Sequence, residues 1–251
     1  YTTLFRSESR ERGCSSWLSA IPLERHGFTL HKGAFWDSKA LRYGWPLRLT
    51  PQTYRCGKAF EVDHVLTCKL GGFHTLRHNE LRDVLACVFA EVCTDVATEP
   101  RLQPLSGEPL PRSANKEDDA RLDIRARGFW DASGGQCDAF FDVRVFHPFA
   151  SSYRHLSLPS VYRQHEAKKR LEYGRRVLDV ERASFTPLVF TTGGGMAPAA
   201  TVAMKRLASQ ISEKRNDPYS VVMGWLRCTI SFCLLRSTLA CLRGSCTRKR
   251  S

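Results

Sequence analysis

Chemistry is first legible in this 251-residue chain at two acids set inside short runs of β-forming residues. Asp123 lies in Leu122-Asp123-Ile124 and Asp142 in Phe141-Asp142-Val143, each at an otherwise apolar stretch of a predicted strand. An ionised carboxylate is costly to bury unless it is paired or bound to a cation. Two such acids on neighbouring strands can converge on one point, and with carbonyls and waters they make a site for Mg²⁺ (or Mn²⁺). The same spacing also suits two acids that face solvent or pair with Arg125 and Arg144. Downstream, His165 to Tyr173 reads as a highly charged helix on which Lys169 and Tyr173, four apart, share a face. A lysine aimed at such a site can orient a water or stabilise charge developing on a phosphate. Read alone, the run is a solvated helix face.

A second constellation is Cys56, His64 and Cys68, in the spacing Cys-x₇-His-x₃-Cys. Thiolates and imidazole are the donors zinc prefers, but a structural zinc site takes four. Tyr54, Asp63 and His74 are close in sequence, and only His74 is an ordinary fourth ligand. The alternative is a reduced, metal-free loop. A third is Arg77-His78-Asn79-Glu80 at a helix start, where basic side chains and backbone N–H groups could hold a phosphate, or where Asn79 simply caps the helix. Gly193-Gly194-Gly195 lacks the spacing and lysine of a phosphate loop.

These residues need elements to position them. Leu81, Val84, Leu85, Val88 and Val92 follow a helical spacing, predicting an amphipathic helix over 78–94. Residues 101–119, with Pro104, Gly107, Pro109 and Pro111, read as a loop. Strands are predicted over 121–129 and 139–146, with Gly134-Gly135 as a hairpin signal between them. Helices follow over about 160–180, 197–214 and 219–242, and a strand over 185–191. The order of helix, strands, helix and strand is an α/β plan around a mixed sheet. Residues 1–50 are aromatic- and arginine-rich with weak periodicity.

Composition narrows the class. With 42% hydrophobic, 10% aromatic and 25% charged residues, the chain is neither collagen-like nor disordered. Lys and Arg outnumber Asp and Glu by 38 to 25, a net charge of +13, which points to an anionic partner, most often nucleic acid. Ten scattered cysteines do not read as a disulfide framework, several lying on apolar faces where cysteine acts as a small hydrophobe. The apolar stretch 221–242 is broken by Arg227 and Arg236 and reads as a buried amphipathic helix rather than a membrane span. A chain opening at Tyr1 without a charged-then-apolar leader reads as part of a longer polypeptide, not a secreted precursor. A reducing intracellular setting, nuclear or cytoplasmic, is expected.

Taken in order, Cys56-Gly57, His64 and Cys68, Gly71-Gly72, Arg77-His78-Asn79-Glu80, Glu99-Pro100, Arg121-Leu122-Asp123, Asp142-Val143-Arg144-Val145 and Lys169-x-x-x-Tyr173 resemble the restriction-like endonuclease region of early-branching non-LTR retrotransposons. In that family a zinc knuckle precedes a PD-(D/E)XK-type nuclease that nicks target DNA to prime reverse transcription. More broadly, the stretch from Ser15-Ser16-Trp17-Leu18 to Cys241-Leu242-Arg243-Gly244 is similar to the carboxy-terminal region of transposon-derived open reading frames. The nuclease-like part covers about 54–191.

The resemblance implies roles residue by residue. Asp123 takes the place of the first metal-binding aspartate, with Leu122 where proline is usual, and Asp142 takes the second. Arg144 stands at the third motif position, where the family often has Gln and related nucleases have Glu. Lys169 matches the lysine carried on the following helix, with Tyr173 as its companion. The knuckle matches at Cys56, His64 and Cys68, but Tyr54 stands where its first cysteine is expected, a departure that also fits a decaying, inactive copy. Glu80 is an additional candidate ligand and Glu99 is read as structural.

The expectation is an upstream remnant or linker over 1–53, a degenerate knuckle over 54–76, a restriction-endonuclease-like core over 77–195 and a helical extension over 196–251. The expected activity is Mg²⁺- or Mn²⁺-dependent DNA nicking by Asp123, Asp142, Lys169 and Tyr173, with Arg77, His78 and Arg144 on the nucleic acid. Zn²⁺ at Cys56, His64 and Cys68 is a further expectation. So are an upstream reverse-transcriptase-type domain as partner and the absence of membrane and small-molecule cofactor. The alternative is a catalytically silent nucleic-acid-binding module on the same scaffold.

Overall fold

The computed structural model describes residues 13–130 and 137–244. Gly134-Gly135, Cys246 and the basic run Arg248-Lys249-Arg250 lie outside them. In chain order the regular elements are α1 (Lys32–Tyr43), α2 (Val62–Thr67), α3 (Phe73–Phe89), β1 (Val96–Thr98), β2 (Ile124–Arg127), β3 (Asp138–Phe146), α4 (Leu158–Lys169), α5 (Arg175–Asp179), β4 (Ser184–Thr191), α6 (Pro198–Arg215) and α7 (Tyr219–Arg243). A single π-helical turn, Arg170–Gly174, joins α4 to α5 without a break.

The four strands form one mixed sheet in the order β1-β2-β3-β4, antiparallel except for the β3–β4 pair. The α4–α5 rod supplies the crossover that a parallel pair requires. Alternation along β3 divides its side chains between two faces. Phe141, Val143 and Val145, with Ile124 and Ala126 from β2 and Leu188 and Phe190 from β4, meet Leu81, Leu85 and Phe89 of α3 and the apolar faces of α6 and α7. Phe89, Phe129 and Phe141 interlock there, with centroids 4.5 to 5.4 Å apart. On the opposite face Phe140 joins Tyr173, Val177 and Leu122, and Phe146 joins Val161 and Tyr162 of α4. Asp142 and Arg144 alternate with these and share that second face.

The periodic positions set the helices, and local backbone sets their ends. α3 begins and ends about a turn before the predicted 78–94, because Gly71 and Gly72 adopt left-handed conformations (φ 97° and 75°) directly before it. Glycine alone takes these without penalty. Pro159 and Pro198 sit in the first turns of α4 and α6, where the missing N–H costs nothing. Asn216, left-handed at φ 56°, closes α6.

α7 corrects the reading of a helix with one buried face. Its buried residues run from Val222 to Leu242 and include Met223, Leu226, Ile230, Phe232, Leu234 and Leu239, so most of its circumference is covered. By length and composition it could cross a membrane; here it lies under α3 and α6 on one side and under the amino-terminal segment on the other. Trp17, Phe28 and Ala34 pack on Phe232, Leu235 and Leu239. The Trp17 amide donates to Ser231, and Arg243 forks onto Asp37 at 2.5 and 2.7 Å. All described cysteines are free thiols.

Candidate functional site

Ile124 pairs with Phe141 across the antiparallel ladder, so one further step sets Asp123 opposite Asp142. The Asp123 amide donates to the Phe141 carbonyl (3.1 Å), and its Oδ2 accepts from the Val143 amide (2.5 Å). The two acids therefore stand side by side on the face covered by α4. From the end of that helix Lys169 Nζ reaches Asp142 Oδ1 at 3.1 Å, with Glu172 at 3.7 Å. The π-helical turn that begins at Arg170 lays the Tyr173 ring beneath the ammonium, 5.3 Å away. Such one-turn bulges recur at functional sites because they re-aim side chains within a continuous helix.

Burial dominates the electrostatics. Asp142 is 6% exposed, and its Oδ2 is buried with no hydrogen-bond partner. Desolvation pushes its carboxyl up to about 6, against the downward pull of Lys169 and with added upward pressure from Asp123. Tyr173 is pushed up to about 12 by burial and by Glu172 and Asp142, so its phenol stays protonated and accepts from Asn115 Nδ2 at 3.4 Å. Tyr173 thus supports Lys169 and is no base at neutral pH.

Residues assigned to phosphate contact take different places. His78 Nε2 donates to Asp123 Oδ1 at 2.9 Å, joining the carboxylates instead of standing out as a surface cation. Arg77 is 1% exposed; its guanidinium donates to the Leu66 carbonyl at 3.3 Å, with Nε and Nη1 buried and unpartnered. That is an interior position, not a surface for a phosphate. Arg144 is half-buried on the Asp142 face and has no ion pair among the described residues. With Arg77 it helps hold His74 at about 4, and with Lys168 and Lys169 it holds His165 at about 4, burial being the larger cause for each. The carboxylates are therefore rimmed by positive charge.

Glu80 is turned away from this site. Its carboxyl is raised by burial and lowered by Arg236 of α7, so it belongs to the α3–α7 packing and does not join Asp123 and Asp142. Glu99 is held by Arg82 and sits left-handed at φ 49°, its amide donating to the Asp123 carbonyl. Arg176 is completely buried and binds the carbonyls of Gln103, Asn115 and Glu117. Arg206 binds the Phe129 carbonyl. Arg176 therefore does not count among surface cations, and Arg206 is half-buried, although both stand in basic dipeptides.

Cys56, His64 and Cys68 do converge, with donor atoms all within 4.8 Å and Cys56 Sγ 3.0 Å from His64 Nε2. A turn with Gly57 left-handed at φ 81° presents Cys56; α2 carries His64, and Cys68 caps its end. His74 is not part of this group, and Asp63 turns instead to His147 Nε2 (2.9 Å), whose Nδ1 meets Thr192. Tyr54 is 3% exposed, edge-on to His64 at 6.0 Å, with its hydroxyl buried and unpartnered.

The sequence pattern had no signal for His78 on Asp123 or for Asp63 on His147, since both join segments far apart in the chain. The chain matches no known protein-family model and no curated protein.

Proposed function

We propose that the chain is a metal-dependent endonuclease domain of the restriction-like, PD-(D/E)XK type, hydrolysing phosphodiester bonds in DNA. One observation carries this reading. Asp123 and Asp142 sit opposite each other on adjacent strands, Lys169 is on Asp142, and one oxygen of Asp142 is buried without a partner. A buried, unpartnered carboxylate oxygen beside a second carboxylate suits a hard divalent cation. Asp142 Oδ2 and an Asp123 oxygen would hold it, with main-chain carbonyls and waters. Bound there, Mg²⁺ or Mn²⁺ would polarise the scissile phosphate and lower the pKa of a coordinated water.

The chain's own groups supply the rest. Lys169, fixed by Asp142, Glu172 and the Tyr173 ring, offers an ammonium to a phosphate or an attacking water. His78 orients Asp123, and Arg144, half-buried on the same face and without an ion pair among the described residues, can meet a second phosphate. The Cys56-His64-Cys68 cluster is proposed to take zinc weakly, since three donors leave the usual set one short. An upstream reverse-transcriptase-type domain is the proposed partner.

The test is relaxation of supercoiled plasmid in Mg²⁺ and Mn²⁺ by the parent, Asp123→Ala and Asp142→Ala. Nicking by the parent alone is expected. Metal-dependent nicking that persists in both variants would overturn the site.

A second reading, a silent nucleic-acid-binding module, is favoured by the two oxygens of Asp123, both already engaged by His78 and the Val143 amide. DNA retardation without nicking in either metal would select it.

A further inference from the structure

Helix α1 is built inside out. Its buried positions are the small residues Ala34, Ser38 and Ala40, whereas Phe35, Trp36 and Tyr43 are 38 to 43% exposed, and Trp45 just beyond is 49% exposed. An apolar stripe of a surface helix normally faces the core. Here the core contact is made by these small side chains with Leu41, and by the edge of Phe35 on Trp17, while Trp36, Tyr43 and Trp45 stay at the surface, although Trp17 and Phe28 show that this segment can bury rings on α7.

The exposed rings are organised. Tyr43 and Trp45 stack with centroids 5.0 Å apart at 27°. Lys39 Nζ stands over Phe35, Trp36 and Trp45 at 5.8, 5.2 and 5.6 Å, and Arg48 lies over Trp36 at 5.6 Å. Cations over ring faces hold both groups in place, and the rings keep 40 to 49% of their surface exposed.

The local charge says what covers them. Residues 29–60 carry Lys32, Lys39, Arg42, Arg48, Arg55 and Lys58, and the only acid among them is Asp37, which is neutralised by Arg243. A surface combining exposed aromatic rings with Lys39 and Arg48 held over them suits a polyanion that also has π-faces. We propose that this face of α1 binds single-stranded nucleic acid, the bases stacking on Trp36 and Trp45 while Lys39 and Arg48 meet phosphates. Duplex DNA keeps its bases stacked on one another and offers no face to these rings. The proposal deepens the nucleic-acid reading above by naming the strand form held, and it requires no cleavage.

The experiment measures anisotropy of a labelled oligothymidylate about ten nucleotides long in EDTA, with the full chain. The Trp36→Ala/Trp45→Ala variant is expected to lose about tenfold or more in affinity. Its thermal midpoint should fall only slightly, since each ring keeps nearly half of its surface exposed. Trp36→Phe/Trp45→Phe, which keeps ring faces, should restore most of the affinity. If the alanine variant fails to fold, Trp36→Lys/Trp45→Lys, which removes the faces but adds charge, should bind more weakly than the parent, and tighter binding would overturn the proposal.

Unchanged affinity in the alanine variant, or no binding by the parent, overturns the proposal. So does equal dependence on the two rings when inorganic polyphosphate is the probe, which would make the site purely electrostatic. Loss of self-association on sedimentation, with oligonucleotide binding intact, would instead make this a protein-binding face and likewise overturn it. Ring-dependent binding without plasmid nicking leaves the proposal standing and fails the nuclease; nicking with ring-independent binding does the reverse.

Discussion

Asp142 occupies its position against the preference of its surroundings. Burial raises its carboxyl from 3.8 to about 6, so between those values the folded protein binds more protons at this group than the unfolded chain. The group's contribution to stability is therefore most favourable below pH 3.8, and it is lost as pH rises through 6. Above that, the ionised acid works against the fold by on the order of 2–3 kcal/mol. Asp142→Asn in EDTA should consequently raise Tm at pH 7.5 by roughly 5 °C, and the gain should vanish near pH 3.5. Calorimetry of the two proteins across that range checks it. A variant less stable than the parent at neutral pH would mean that Lys169 and the ionised acid stabilise one another more than desolvation opposes them. A site strained in this way is the usual companion of function, because activity and stability ask different things of one residue.

At the scale of elements, the α4–α5 rod does two jobs through one irregularity. The π-helical turn sets Tyr173 under Lys169, and the α5 residue Arg176 anchors the long connection between β1 and β2 through three backbone carbonyls. That connection returns Asn115 to the Tyr173 hydroxyl. Arg176→Met removes the anchor and leaves three carbonyls at half-buried hydrogen bonds without their donor. It should cost about 3 kcal/mol and speed amide exchange over 103–117 while β3 and β4 stay protected.

The Arg176 anchor was not legible beforehand, because an arginine in a basic dipeptide reads as a surface charge and its acceptors are about sixty residues or more away in the chain. Asp123, Asp142 and Lys169 were legible as candidates because each is a charged residue where alternation or helical spacing fixes its face, but spacing alone suited solvent-facing groups equally and the family resemblance set them together. α1 was not, since its rings Trp36 and Tyr43 stay at the surface and, Leu41 apart, its inward residues are small, which erases the periodic signal. β1 spans only Val96–Thr98, too short for alternation to register.

For the whole molecule, net charge overstates the cations available to a polyanion. Arg77 and Arg176 are buried, and Arg82, Arg125, Arg127, Arg215 and Arg243 are tied to acids. What remains includes Lys39, Arg48 and the positive rim of the carboxylate site. Affinity for DNA should still fall about tenfold or more between about 50 and 200 mM salt, as counterions released on binding dictate. Retardation assays along a salt series will show it; a flat response would argue against phosphate contact altogether.

The burial of α7 around most of its surface has a consequence for how the chain is made. Every other described element precedes α7 in the sequence, yet the faces of α3 and α6 and the rings of Trp17 and Phe28 all close on it. A ribosome-bound chain ending near residue 215 would hold a sheet and two helices with Leu81, Leu85 and Leu207 still lacking this cover, so emergence of the last helix is the event that converts a sticky intermediate into a finished core.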